Sequence, residues 1–177
     1  LLSKTFVGQA CRIGKQFSAD RSLFFANCDA LHGEALCVLA GPFTVTHHKS
    51  TLLIGGLFSF FNAGSGTNQS NHHYRLGPVH EGRLERGTKT GSFSHMIWPC
   101  RVGPFSTVLG RHTHRFDTSL LPFSVLRATA TGRCDLRPGA NLGSAGIKRD
   151  GAKWPARDGR KGNVGIDRIS YDVLSPF

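Results

Sequence analysis

VGQACRIGKQFSADRSLFFANCDALHGEALCVLAGPFTVTHH (residues 7–48) divides into sixes: VGQACR, IGKQFS, ADRSLF, FANCDA, LHGEAL, CVLAGP and FTVTHH. Every lead residue is apolar: Val7, Ile13, Ala19, Phe25, Leu31, Cys37 and Phe43. A helix repeats apolar residues every 3.6 positions and an amphipathic strand every two. A period of six, with glycine second at Gly8 and Gly14, fits neither and predicts a solenoid of short flat strands. The rhythm returns after a break, with leads Leu84, Thr90, Met96, Val102 and Val108. The fifth places there are mostly small: Thr88, Ser94, Cys100, Ser106 and His112.

This pattern resembles the hexapeptide-repeat superfamily of acyltransferases and related enzymes, whose fold is a left-handed parallel β-helix. The stretches HHKSTLLIGGLFSFFNAGSGTNQSNHHYRLGP (47–78) and DGAKWPARD (150–158) more specifically resemble the bacterial family called domain of unknown function 4954, which carries no assigned reaction. The expected architecture is all-β: a left-handed hexapeptide β-helix over 1–121 with a polar loop inserted at 62–83. A β-hairpin cap about the Thr131-Gly132 turn follows at 122–145. Residues 146–177 are expected to form a basic loop and a short helix, the helix placed at 166–174 by Ile166, Ile169 and Val173, leading into sequence not contained in this chain. The chain opens on Leu1 without methionine and reads as a fragment.

The 177 residues suit one domain with a core of its own. Twenty-two Lys and Arg against eleven Asp and Glu give a net charge of +11. That favours anionic partners. No basic block is interleaved with exposed aromatics, so a nucleic-acid platform is not indicated, and no apolar run is long enough to span a bilayer. Five cysteines without a Cys-x-x-Cys pair suit a reduced, cytoplasmic protein.

Three hexads make a coil of eighteen residues, so residues eighteen apart should stack about 4.8 Å apart. Cys11, Asp29 and His47 would form such a column, and an aspartate one rung below a histidine can fix its tautomer and raise its basicity. Against this stands a plain corner hydrogen bond that satisfies two polar groups. The superfamily resemblance implies that a coil-surface histidine acts as general base in acyl transfer, with acyl-CoA or another acyl donor as co-substrate and no permanently bound cofactor. It also implies a nucleotide-linked or phosphorylated sugar as the anionic substrate, and a homotrimer. On this reading His47 and Asp29 are the catalytic pair. A non-catalytic sugar- or nucleotide-binding scaffold is the alternative.

Between Phe43 and Ile54 the hexad count falls one short, and the slip lands on His47-His48-Lys49-Ser50-Thr51. His48 and Lys49 are therefore expected at the opening of the site. Asn68, Gln69, Asn71 and His72 are expected to bind from the polar loop. Arg111 and His112 form an anion clamp near the mouth, and Lys153, Trp154 and Arg157 contact a phosphate. The superfamily also contains zinc enzymes with three histidine ligands. In the second block His95 lies one coil from Thr113 and His112 one coil from Ser94, so no metal site is assigned. The run LFSFF (57–61) carries more phenylalanine than one inner face holds, which places some of Phe58, Phe60 and Phe61 at a subunit or domain contact.

Overall fold

The computed structural model describes residues 1–69, 80–162 and 168–174. They form a three-faced parallel β-solenoid ending in an antiparallel hairpin, followed by one helix. The first face stacks β1 (Leu2–Ser3), β4 (Ser18–Asp20), β7 (Gly33–Leu36), β10 (Thr51–Ile54) and β12 (Asn68–Gln69). The second stacks β2 (Phe6–Val7), β5 (Leu23–Phe24), β8 (Leu39–Ala40), β11 (Gly56–Phe58), β13 (Gly82–Leu84), β15 (Arg101–Val102) and β17 (Asp117–Thr118). The third begins with β3 (Arg12–Gly14), β6 (Asp29–Leu31) and β9 (Val45–Thr46). Asn62 bridges from Val45 to Lys89 and carries this face on to β14 (Lys89–Thr90), β16 (Thr107–Leu109) and β18 (Val125–Ala128). The expected hairpin forms: β18 pairs antiparallel with β19 (Cys134–Arg137), closing the parallel stack on this face.

The coil is not a constant eighteen. From Leu2 to Ala19, Ala35 and Leu53 the steps are 17, 16 and 18 residues. The hexad frame holds in the second block, where Leu84, Thr90, Met96, Val102 and Val108 are all buried. In the first block it fails. Val7 and Cys37 face solvent. The inward residues are Ala19, Phe24, Ala30, Ala35 and Ala40, five or six apart. Shorter corners cause the difference, because each sharp turn is made by a residue in the left-handed region, and non-glycine residues fill many of these places.

One corner shows the chemistry of the turn. Asn27, Phe43, Phe60, Gly87, Phe105 and Phe123 all have φ between 50° and 72°. The residue after the turn often returns a side-chain hydrogen bond to the carbonyl three positions back. Thr44 donates to Gly41 at 2.8 Å, Thr88 to Glu85 at 2.6 Å and Ser124 to Leu121 at 2.8 Å. A buried carbonyl left without a donor is costly, so small hydroxyl residues are favoured there.

Three expectations change. Residues 62–69 are not an excursion: Asn62 carries a bridge, Ala63 is buried and Asn68–Gln69 is a strand. The remainder of that stretch, 70–79, lies outside the described residues, and with it Asn71 and His72. The helix, α1, spans Ala145–Ala156 and not 166–174. Ser144 caps it by accepting from the Ile147 N–H at 3.3 Å, and Ile147 is its buried anchor. Arg168–Asp172 have no regular structure. Phe58 and Phe61 are core residues in contact at 4.8 Å, and Phe60 is buried at the corner. The solenoid interior therefore holds the phenylalanines that were expected at a contact.

Candidate functional site

A groove of about 720 Å³ runs beside the first rungs of the third face. Strands β3, β6 and the chain after β9 form one side, and the segment around the end of α1 forms the other. Its polar and aromatic lining includes Arg12, Lys15, Asp29, His47, Trp154 and Arg157. Four residues singled out from the sequence, Asp29, His47, Trp154 and Arg157, thus meet in one place.

The column proposed for the catalytic pair is corrected by the register. Asp29 stands between Arg12 and Val45, its partners on the adjacent rungs, because these coils measure 17 and 16 residues. His47 follows Val45 by two residues, so it reaches the groove beyond Asp29 and not directly above it. No hydrogen bond joins the two. Asp29 instead makes an ion pair with Arg12, whose side chain is 77% exposed against 15% for the aspartate. Its second oxygen, Oδ1, is buried and has no partner among the described residues.

Burial holds the pKa of His47 below its ordinary value, with the neighbouring His48 as the next cause. Asp29 opposes this, while Arg12 and Arg157 reinforce it. The imidazole is therefore neutral near pH 7 and able to accept a proton. The rings of His47 and His48 lie 4.4 Å apart, and His48 faces solvent. Lys15 and Arg157 have no carboxylate partner among the described residues. The groove thus presents three cations and one carboxylate to a ligand.

The far wall is pinned by a specific set of contacts. At the aromatic corner, Phe43 stacks on Phe60 at 5.3 Å and Phe105 on Phe123 at 5.2 Å. Gly87 occupies the rung between these pairs and leaves a gap. Trp154 of α1 enters there, 4.5 Å from Phe60 and 6.3 Å from Phe105, with the Arg86 guanidinium 4.5 Å over Phe60. Lys89 forms an ion pair with Asp150 of α1. Asn27 donates to Asp158 at 3.0 Å and accepts from the Gly159 N–H at 3.0 Å. Asp158 also receives Arg160 and the Tyr171 hydroxyl. These contacts, led by Arg160, hold the Asp158 carboxyl well below the usual carboxylate range.

The other expected site residues lie elsewhere. Lys49 is exposed and lines a separate shallow groove with His32 and Glu34. Asn68 and Arg111 sit on the first face, both bridged to His95. Gln69 is fully buried beside Leu53, its amide without a partner among the described residues, so it cannot reach a ligand. His112 is no clamp at the mouth: it is buried at a corner, bonded through Nε2 to the Leu109 carbonyl at 3.1 Å, in the role of the threonines and serines above. Lys153 is exposed on α1 and is not part of the groove lining. Arg12, Lys15 and Asn27 were missed. The repeated Pro-Phe-Thr/Ser triplets at 42–44, 104–106 and 122–124 were the sequence signal for the aromatic corner. Among the described residues no three His, Cys, Asp or Glu side chains converge as metal ligands, and no helix is long and apolar enough to cross a membrane.

These features define a protein class: a three-faced parallel β-helix of the hexapeptide-repeat type, with a cationic groove walled by its C-terminal segment. The chain belongs to the family described as domain of unknown function (DUF4954), whose model matches residues 1–177. No curated protein matches it.

Proposed function

We propose that the groove binds a phosphorylated or nucleotide-linked sugar and that His47 serves as general base for acyl transfer onto it. The observation that carries this reading is the meeting of His47, Asp29, Trp154 and the unpaired cations Lys15 and Arg157 in one groove. The phosphate would lie against Lys15 and Arg157, and the Trp154 ring offers an apolar surface to a base or sugar. His47 takes the proton of a substrate hydroxyl or amine as that atom attacks the acyl carbonyl of a thioester donor. The new ester or amide bond forms, the carbon–sulfur bond breaks, and the departing thiolate takes the proton back from His47. Asp29 favours the transient imidazolium through space, and His48 borders the opening. A hexapeptide-type fold hosts many activities, so the site and not the fold supports the reading.

A second reading, a sugar- or nucleotide-binding scaffold without turnover, is favoured by one feature: Asp29 is committed to Arg12 and makes no bond to His47. Both readings require the anion contacts. Calorimetry with a uridine-diphosphate sugar should show binding that weakens as salt is raised. Arg157→Ala should lower affinity by about tenfold and flatten the salt dependence, as expected for losing one charge-assisted contact worth about 1.5 kcal/mol. Unchanged affinity in that variant would remove the phosphate assignment. The homotrimer is proposed to use the exposed second-face column Phe6, Leu23 and Leu39, which pair in register on adjacent rungs. A single-chain mass in sedimentation at micromolar concentration would refute it.

A further inference from the structure

We propose a second anion site, for a small phosphate-bearing molecule, between the segment 111–116 and the tip of the terminal hairpin. It shares no lining residue with the groove beside His47 and stands independently of it. The hairpin tip approaches the earlier segment closely: a Cβ placed on Gly132 would lie 4.0 Å from Thr113 Oγ1. The cavity between them is about 590 Å³. Thr113, His114, Arg115, Thr131, Arg133 and Cys134 line it, His112 and Phe116 complete it, and no carboxylate takes part.

The charges here are uncompensated in a particular way. Each arginine has an aspartate two residues on, and each aspartate is engaged elsewhere. Asp117 accepts from Ser119 N–H at 2.9 Å and Oγ at 2.6 Å, with Arg101 3.9 Å away. Asp135 pairs with Arg137 at 3.1 Å. Arg115 and Arg133 consequently have no carboxylate partner among the described residues. Two guanidinium forks and two threonine hydroxyls bordering one cavity suit the planar, multidentate recognition of a phosphate better than of a halide. The buried His112 ring and Phe116, 5.3 Å apart, give one side an apolar backing that limits solvent screening.

Cys134 supplies the test, because its exposed thiol lines the cavity while the other exposed thiol, Cys37, does not. Maleimide labelling of both cysteines in the whole chain would be followed by mass spectrometry, with inorganic phosphate or glycerol phosphate against chloride at matched ionic strength. Phosphate at about ten times its Kd should slow labelling of Cys134 by about tenfold, the mass-action limit, and leave Cys37 unchanged. Arg115→Ser with Arg133→Ser, both at exposed positions, should abolish the protection. Tighter protection by glycerol phosphate would assign the site to a phosphate monoester, and tighter protection by inorganic phosphate to the free ion. Absent protection by either, equal slowing at Cys37, or protection that survives the double substitution would overturn the proposal.

Discussion

Gly87→Ala is expected to destabilise the protein by roughly 2–4 kcal/mol and to lower its midpoint of thermal unfolding by about 10 °C. A Cβ at this position would lie 2.3 and 2.5 Å from ring atoms of Phe105. Phe105 has no room to withdraw, because Phe123 stacks behind it at 5.2 Å and Trp154 lies beside it. The backbone contributes less. Gly87 has a φ of +72°, yet Phe43, Phe60 and Phe105 tolerate the same left-handed region at equivalent corners. That conformation costs about 1–2 kcal/mol for a residue with a side chain, and the overlap adds about 1–3 kcal/mol. Gly110→Ala is the control. Its φ is +84°, but the nearest contact of an added Cβ is the Ala128 methyl at 3.1 Å. Denaturant titration of the two variants should show Gly87→Ala to be clearly the worse. Equal losses would mean that backbone strain alone acts, and that Trp154 does not depend on the gap.

On the acyl-transfer reading, His47→Ala should lower turnover by about two to four powers of ten with the fold intact, the usual scale for losing a general base. Asp29→Asn should cost less, because the imidazole remains and loses only a favourable charge. The pH dependence has a defined sign. Burial and His48 lower the pKa of His47 below its ordinary 6.5. Turnover should therefore fall on acidification through that lowered value and be level at and above neutral pH. His48→Ala removes a repulsive neighbour and should move the acid limb upward. Stability shares the sign. A histidine whose folded pKa is lowered stabilises the fold above its unfolded pKa, and that contribution is lost as pH falls from there. Stopped-assay rates with a thioester donor, run across pH 5 to 8, are the measurement. Equal rates with and without His47 would leave the scaffold reading.

The sequence carried the solenoid because a repeated apolar lead survives in the side-chain pattern, and from Leu84 to Val108 it also carried the frame. The frame of residues 7–48 was illegible for a physical reason. A corner sheds a residue by placing Ala10, Asn27 or Phe43 in the left-handed region, and nothing in hydrophobic spacing marks a corner as short. This displaced the Asp29–His47 column while leaving both residues beside one groove. The helix was placed too late because Gly146, Gly151 and Pro155 argue for a loop. Tertiary contacts override them: Ile147 is buried, Lys89 holds Asp150, and Trp154 fills the gap at Gly87. Those partners are distant in the chain, so local pattern could name Trp154 and Arg157 but not bring them to Asp29.

Tryptophan fluorescence tests the central claim, that an anionic sugar ligand occupies the groove against Trp154. The protein has two tryptophans. Trp98 is fully buried and bonded to the Ile54 carbonyl, away from the groove, whereas Trp154 lines it. Titration with a uridine-diphosphate sugar is predicted to change the emission in a saturable way, and Trp154→Phe is predicted to abolish that change. A flat titration, or a response that persists unaltered in Trp154→Phe, would contradict the account.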